Sequence, residues 1–346
     1  MPKPKWFQKI SFWIVLGFLS TFFAEVLSGS APDFLFRAFG YFGILPIYLL
    51  HSLLLAALVI RKAQPYSLRT LYLASLLFGM YEAYITKVLW SPPWNPGALK
   101  IAHLALAETL LLVFFWHSIF SFILPLFWIE SLSVPSPRLP GLLPEKWQAR
   151  LISPRGALLT GLAGGWLAGS AIGNPQGALL YVFANCLTLS LLLMLLHRLN
   201  QKQGFDLERY LPRKIEVAIL AFLLMLDYLL FGLYLRREVQ PGLSGHAVVL
   251  LLYGMIVFLM IKSMRKDKQQ VSEPQEFTQN NRRYTLKNWF SLCAGLAVSA
   301  LTASLLPEDA RNLLVGLILL ACTLLGVVFF TLSLISLFRK NKTISS

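Results

Sequence analysis

The chain has 346 residues, of which 56% are hydrophobic and 14% charged, and its mean hydropathy is +0.63. Soluble domains carry about 25% charged residues, so an ordinary soluble enzyme and a disordered chain are both excluded, and three Cys exclude a disulfide scaffold. A net charge of +15 in so apolar a chain points to basic loops at a membrane surface, with the lipid bilayer as partner and no nucleic acid.

A helix that crosses the hydrocarbon core needs about 20 mostly apolar residues. Ten runs qualify: 10–28, 38–60, 68–90, 103–129, 156–173, 176–197, 215–235, 244–262, 288–306 and 312–338. Lys3, Lys5 and Lys9 precede the first run, and Ser28-Gly29-Ser30-Ala31-Pro32 follows it, as in a signal peptide. Glu25 and Pro32 interrupt the approach to a cleavage site, so an uncleaved first span is expected. The second run holds His51 and the third holds Glu82 and Lys87. Glu108 and His117 lie in the fourth. The loop 130–155 is rich in Pro and reads as extended. In the fifth run Gly161, Gly165, Gly169 and Gly173 recur every four residues, with Ala157 extending the row. One helix face without side chains predicts a tight helix crossing inside the bundle. Asp227 sits in the seventh run, flanked by Leu and Met. Cys186, Cys293 and Cys322 all fall within runs and read as apolar packing residues.

Lys and Arg test the count, because they concentrate on the cytoplasmic side. With the N-terminus cytoplasmic, inner segments hold 25 of the 31 basic residues and outer segments hold 6. The expected fold class is therefore all-α, a polytopic transmembrane helix bundle of about ten spans with both termini cytoplasmic. The expected organisation is an eight-helix membrane body (1–262), a cytoplasmic linker (263–287), and a C-terminal helix pair with a basic tail (288–346). The pair carries no ionisable residue in its spans, so 288–338 is expected to face lipid or partner helices.

Ionisable side chains within a bilayer are costly unless paired or wet, which makes them the functional candidates. At 1.5 Å per residue, Glu82 and Asp227 each come out roughly 12 Å below the outer boundary and Glu108 about 9 Å. Glu25 lies near the outer end of its span, and His51 and His117 lie deeper, near 20 Å. Glu25, Glu82, Glu108 and Asp227 are thus the candidate ligand-binding residues of an outward-facing acidic cavity. Each also has an ordinary explanation. Lys87 is five residues from Glu82, not stacked on it, and is expected to snorkel outward. Glu108 suits a helix start, and either imidazole can bond to a neighbouring helix.

The elements Ala24-Glu25-Val26-Leu27-Ser28-Gly29-Ser30-Ala31-Pro32, Gly79-Met80-Tyr81-Glu82 and Trp116-His117-Ser118, with Pro125 and Glu130, resemble an uncharacterised family of prokaryotic multispanning membrane proteins over the first 130 or so residues. That resemblance implies no activity. A fainter one is to the CAAX-protease and bacteriocin-processing intramembrane proteases, whose Glu-Glu-x-x-x-Arg and Phe-x-x-x-His motifs map onto Glu82, Ala83 and Lys87 and onto Val113 and His117. This sequence lacks the second Glu, the Phe and the Arg.

Three functions follow. Binding or transport of a small cation, proton or polar lipid group ranks first, with no cofactor. A non-catalytic scaffold or accessory subunit ranks second. An intramembrane hydrolase ranks third and alone calls for a divalent metal, held by Glu82, His51 and His117.

Overall fold

A computed structural model describes residues 4–61, 66–200, 206–269 and 282–339. The chain is an all-α polytopic bundle. Eight of the ten runs form helices long and apolar enough to cross a membrane: α1 (Trp6–Val26), α2 (Gly40–Arg61), α5 (Leu106–Ser133), α8 (Pro175–Asn200), α9 (Lys214–Tyr234), α10 (Leu243–Gln269), α11 (Leu286–Leu305) and α12 (Glu308–Phe338). The other two runs depart from ten uniform spans. The third breaks into α3 (Leu68–Gly79) and a single turn, α4 (Tyr81–Tyr84), and ends before Lys87, which sits in the left-handed region at φ 60°. The fifth is α7 (Pro154–Ile172), whose Gly and Ser content makes it less apolar than a typical span. Ser153 caps its start through the Gly156 N–H, Pro154 is its first residue, and Gly173 at φ +71° ends it.

The expected tight crossing lies between α7 and α11, which run parallel. A Cβ at Gly161 would lie 2.1 Å from the Leu292 carbonyl oxygen, one at Gly165 2.3 Å from that of Leu296, and one at Gly169 2.1 Å from that of Ala300. Gly295 answers from the other side, against the Leu158 carbonyl. The missing side chains bring the two backbones into direct contact. This corrects the expectation that the final pair faces outward as a unit. Trp289, Leu292, Leu296 and Ala300 of α11 are buried in the bundle. Only α12 keeps a long exposed face, while Phe330 stacks on Phe114 of α5 at 4.5 Å.

At the end of the bundle that carries the chain termini, α10 continues through Gln269, so the linker expected from 263 begins as helix. Its Asp267 is buried and pairs with Arg69 of α3 at 2.6 Å. Arg69 also donates to Ser263 and Ser336, tying α3 to α10 and α12. The rest of the linker (270–281) and the basic tail (340–346) lie outside the described residues. The loop 130–155 is only partly extended, because Glu145–Leu151 forms the short helix α6. Glu130 is buried at the end of α5 and accepts the Leu139 N–H at 2.7 Å, which fixes the turn beyond it. At the opposite, distal end, Lys100–Ile101 (β1) and Leu104–Ala105 (β2) pair antiparallel, with Lys100 opposite Ala105.

Adding a side chain at the crossing should therefore be costly where an exposed helical Gly tolerates it. Gly165→Leu is expected to lower the thermal unfolding midpoint in detergent sharply, by overpacking worth at least about 1–3 kcal/mol. Gly254→Ala, at a site on α10 with no atom within 4 Å of the new Cβ, is expected to be neutral or to raise it.

Candidate functional site

The first four apolar runs supply the site. Several of their helical turns are wound more widely than an α-helix, with i→i+5 bonding at Phe22–Val26, Gly40–Ile44 and across Thr109–Ile123. Such turns accompany functional positions in other helices. Here they carry Glu25 on α1 and His117 on α5. Tyr48 and His51 lie one turn apart on α2, and Tyr81 and Glu82 share the single turn of α4. Gly79, just before that turn, lets α3 close on α5: a Cβ there would sit 2.6 Å from the Val113 Cα.

Glu82 and His117 form the centre. His117 Nε2 is 2.8 Å from Glu82 Oε1, both residues are buried, and the second Glu82 oxygen accepts the Thr86 hydroxyl. The other imidazole nitrogen, Nδ1, is 2.9 Å from the Ser121 hydroxyl one turn further along α5. The Ser121 carbonyl accepts from the hydroxyls of Ser20 and Ser52, and Ser52 also donates to Ser20 at 3.1 Å. Aromatic rings enclose the pair. Tyr81 stands edge-on to His117 at 4.9 Å, and Phe78 is stacked on it at 6.1 Å.

Glu25 joins this centre through two tyrosines. Tyr48 donates to Glu25 Oε1 at 2.5 Å, and the Tyr48 and Tyr81 hydroxyls are 2.9 Å apart. The Tyr81 hydroxyl also faces the Glu82 carboxyl. The second Glu25 oxygen accepts from Ser30, which is exposed at the distal end. Two hydrogen-bonded groups therefore adjoin, one running from the exposed Ser30 through Glu25 and Tyr48 to Tyr81 and the other joining Glu82 to His117, with the Tyr81 hydroxyl facing the Glu82 carboxyl between them.

His51 stands beside the series. Its Nδ1 is 2.8 Å from the Ile47 carbonyl, which accepts the ring proton and leaves Nε2 to accept from Tyr228 at 3.1 Å. Tyr228 in turn lies 3.4 Å from the Tyr253 hydroxyl. His51 stacks on Phe78 at 4.9 Å. Metal ligation by His51, His117 and Glu82 together would displace one hydrogen bond from each ring, that of Tyr228 from His51 and that of Glu82 or Ser121 from His117. Among the described residues no three His, Cys, Asp or Glu side chains are grouped to hold an ion.

Among the described residues, no hydrogen bond or ion pair joins Glu108 or Asp227 to Glu82. Glu108 is buried and Asp227 half-buried, each with one carboxyl oxygen enclosed and unpartnered. Lys87 is also corrected: its side chain does not snorkel outward but is fully buried, donating to the Leu235 carbonyl. Sequence reasoning missed Tyr48, Tyr81, Thr86 and Ser121. Their signal was adjacency, since they lie one helical turn from His51, Glu82 and His117 or directly beside Glu82.

A model described as an uncharacterized membrane protein family matches residues 14–345. An uncharacterized protein of Archaeoglobus fulgidus is 33% identical over 337 residues, which cover 95% of this chain and 98% of that protein. No solved structure matches.

The Glu82–His117 contact should be visible as stability. Glu82→Ala strips the buried imidazole of its partner and is expected to cost about 1–3 kcal/mol. Glu82→Gln keeps an oxygen for His117 and is expected to lower the unfolding midpoint clearly less. Equal losses for the two variants would show that the contact contributes nothing specific.

Proposed function

The chain belongs to this uncharacterized membrane protein family, and we propose that it is a proton-linked transport or binding protein that takes up protons from its distal face. The termini are cytoplasmic on the charge balance, which makes the distal face the outer one. The observation that carries this reading is the hydrogen-bonded run Ser30, Glu25, Tyr48, Tyr81, whose last hydroxyl faces the Glu82 carboxyl paired with His117.

A proton that arrives on Glu25 can move inward by concerted hops. Glu25 gives its proton to the Tyr48 oxygen as Tyr48 passes its own to Tyr81, and Tyr81 passes its own to Glu82. Both tyrosines end neutral, and one proton has moved from one carboxylate to the other. The reverse shift returns it. His117 holds the Glu82 carboxyl at the inner end of the series through Nε2.

The chemistry favours a proton over a metal cation. Both Glu82 oxygens already accept from donors, and donors repel a cation that needs those lone pairs. Aromatic rings fill the space in which a hydrated ion would sit.

Infrared difference spectra of the reconstituted protein between about pH 5 and about pH 8, spanning the ordinary histidine range, provide the test. A carboxylic C=O band that grows on acidification is expected, absent when Glu25 and Glu82 are both replaced by Gln, since the two acids share one proton. Tyr48→Phe is expected to retain the band at equilibrium while slowing its appearance after a pH jump. A spectrum without any titrating carboxyl over that range overturns the reading and leaves the scaffold alternative.

A further inference from the structure

Beside the proton series the described residues form an apolar groove of ligand size. It lies between α7, α11 and α12, holds about 390 Å³, and is lined by Leu162, Trp166, Val298, Thr302, Leu314 and Ile318 among others. Its surface is apolar, since even Thr302 turns its hydroxyl to the Val298 carbonyl. The groove opens sideways on the flank of the bundle, where the exposed α12 face begins, so hydrocarbon rather than water bathes it.

Arg311 stands at the distal end of this groove, on the first turn of α12. Leu314 and Ile318 follow it at intervals of three and seven residues, down the same strip of helix. The Trp166 indole reaches the Arg311 carbonyl at 3.5 Å. The guanidinium lies over the C-terminal Gly173 of α7, with Nη1 3.4 Å from where a Cβ would stand. Its Nε is enclosed and unpartnered, and among the described residues no carboxylate pairs with it. A guanidinium with no carboxylate partner among the described residues, at the membrane-surface end of an apolar groove, is complementary to a phosphate with an acyl chain below it. Glu308 and Asp309, exposed on the same turn, complement an amine.

We propose that this groove binds one amine-bearing phospholipid of the distal leaflet, with its phosphate on Arg311 and one acyl chain between α7, α11 and α12. From Arg311 to Ile318 the chain would run about 10 Å down the helix, so its upper half lies in the groove and the rest in the bilayer. The site is independent of the proton series.

Native mass spectrometry of the detergent-solubilised protein titrated with phosphatidylethanolamine tests this. The wild type is expected to hold one lipid. Arg311→Gln is expected to weaken that binding about tenfold, through loss of the charge-assisted contact to the phosphate. Ala163→Phe, which places a ring in the groove from an exposed position, is expected to abolish it. Inorganic phosphate is expected not to displace the lipid. Unchanged retention in both variants overturns the proposal, as does phosphate displacement with Ala163→Phe unaffected, which would mark a free-anion site. A measurement that needs no variant is photo-crosslinking of the wild type with a phospholipid carrying a diazirine on its acyl chain. Adducts within 162–166, 298–302 and 314–318 are expected. Adducts spread evenly over the exposed faces of α9 and α12 would refute a defined site.

Discussion

A carboxylate removed from water must be matched by donors at close range, and in a chain this poor in charge the cost has few means of compensation. Glu82 meets that demand with two donors, His117 and Thr86. The match requires α4 and α5 to lie in one relative position, and Gly79 against Val113 permits it. His117 then requires Ser121, whose carbonyl gathers Ser20 of α1 and Ser52 of α2. The polar groups of four helices thus follow from satisfying one acid. The aromatic residues around them complete the packing and exclude the water that would otherwise solve the same problem.

The glycine crossing of α7 and α11 has a different role. It forms a rigid wall by direct backbone contact, and that wall also shapes the mouth of the polar series. Gly29, at φ +77°, lies so close to α7 that a Cβ would meet Ala171 at 2.5 Å and the Leu167 carbonyl at 2.9 Å. The turn that brings Ser30 back onto Glu25 is therefore held against the wall. One glycine face positions a helix, and a single further glycine positions the loop that carries the exposed end of the site.

Apolar run length predicted eight helices to within a few residues, because the hydrocarbon thickness sets a length the sequence must satisfy. The glycine row predicted its crossing for a similarly local reason: spacing of four defines a face. The third run misled by being apolar throughout, since its break at Met80 depends on contacts with α5 that composition does not encode. The site was legible in part. Glu25, Glu82 and His117 stood out because charge in an apolar run is conspicuous, whereas Tyr48 and Tyr81 did not, because tyrosine is common in membrane helices and its hydroxyl partner is set by angular position. Glu108 and Asp227 were grouped with Glu82 on depth alone, and depth does not decide which side chains bond to one another: among the described residues no hydrogen bond joins either of them to Glu82.

The series also has an end, and the end bears on what it can do. Among the described residues it stops at the hydroxyls of Ser20, Ser52 and Ser121. One turn further toward the termini lie Leu16, Ala56 and Leu126, all buried and apolar. If the series carries protons as proposed, one that reaches His117 from the distal side meets a barrier of hydrocarbon and must leave by the way it came unless the helices move. A continuous wire would dissipate a proton gradient without performing work. A wire closed at one end can release its proton to the far side only when a second arrangement of α1, α2 and α5 opens that layer, and this is the condition under which proton binding can be coupled to another event.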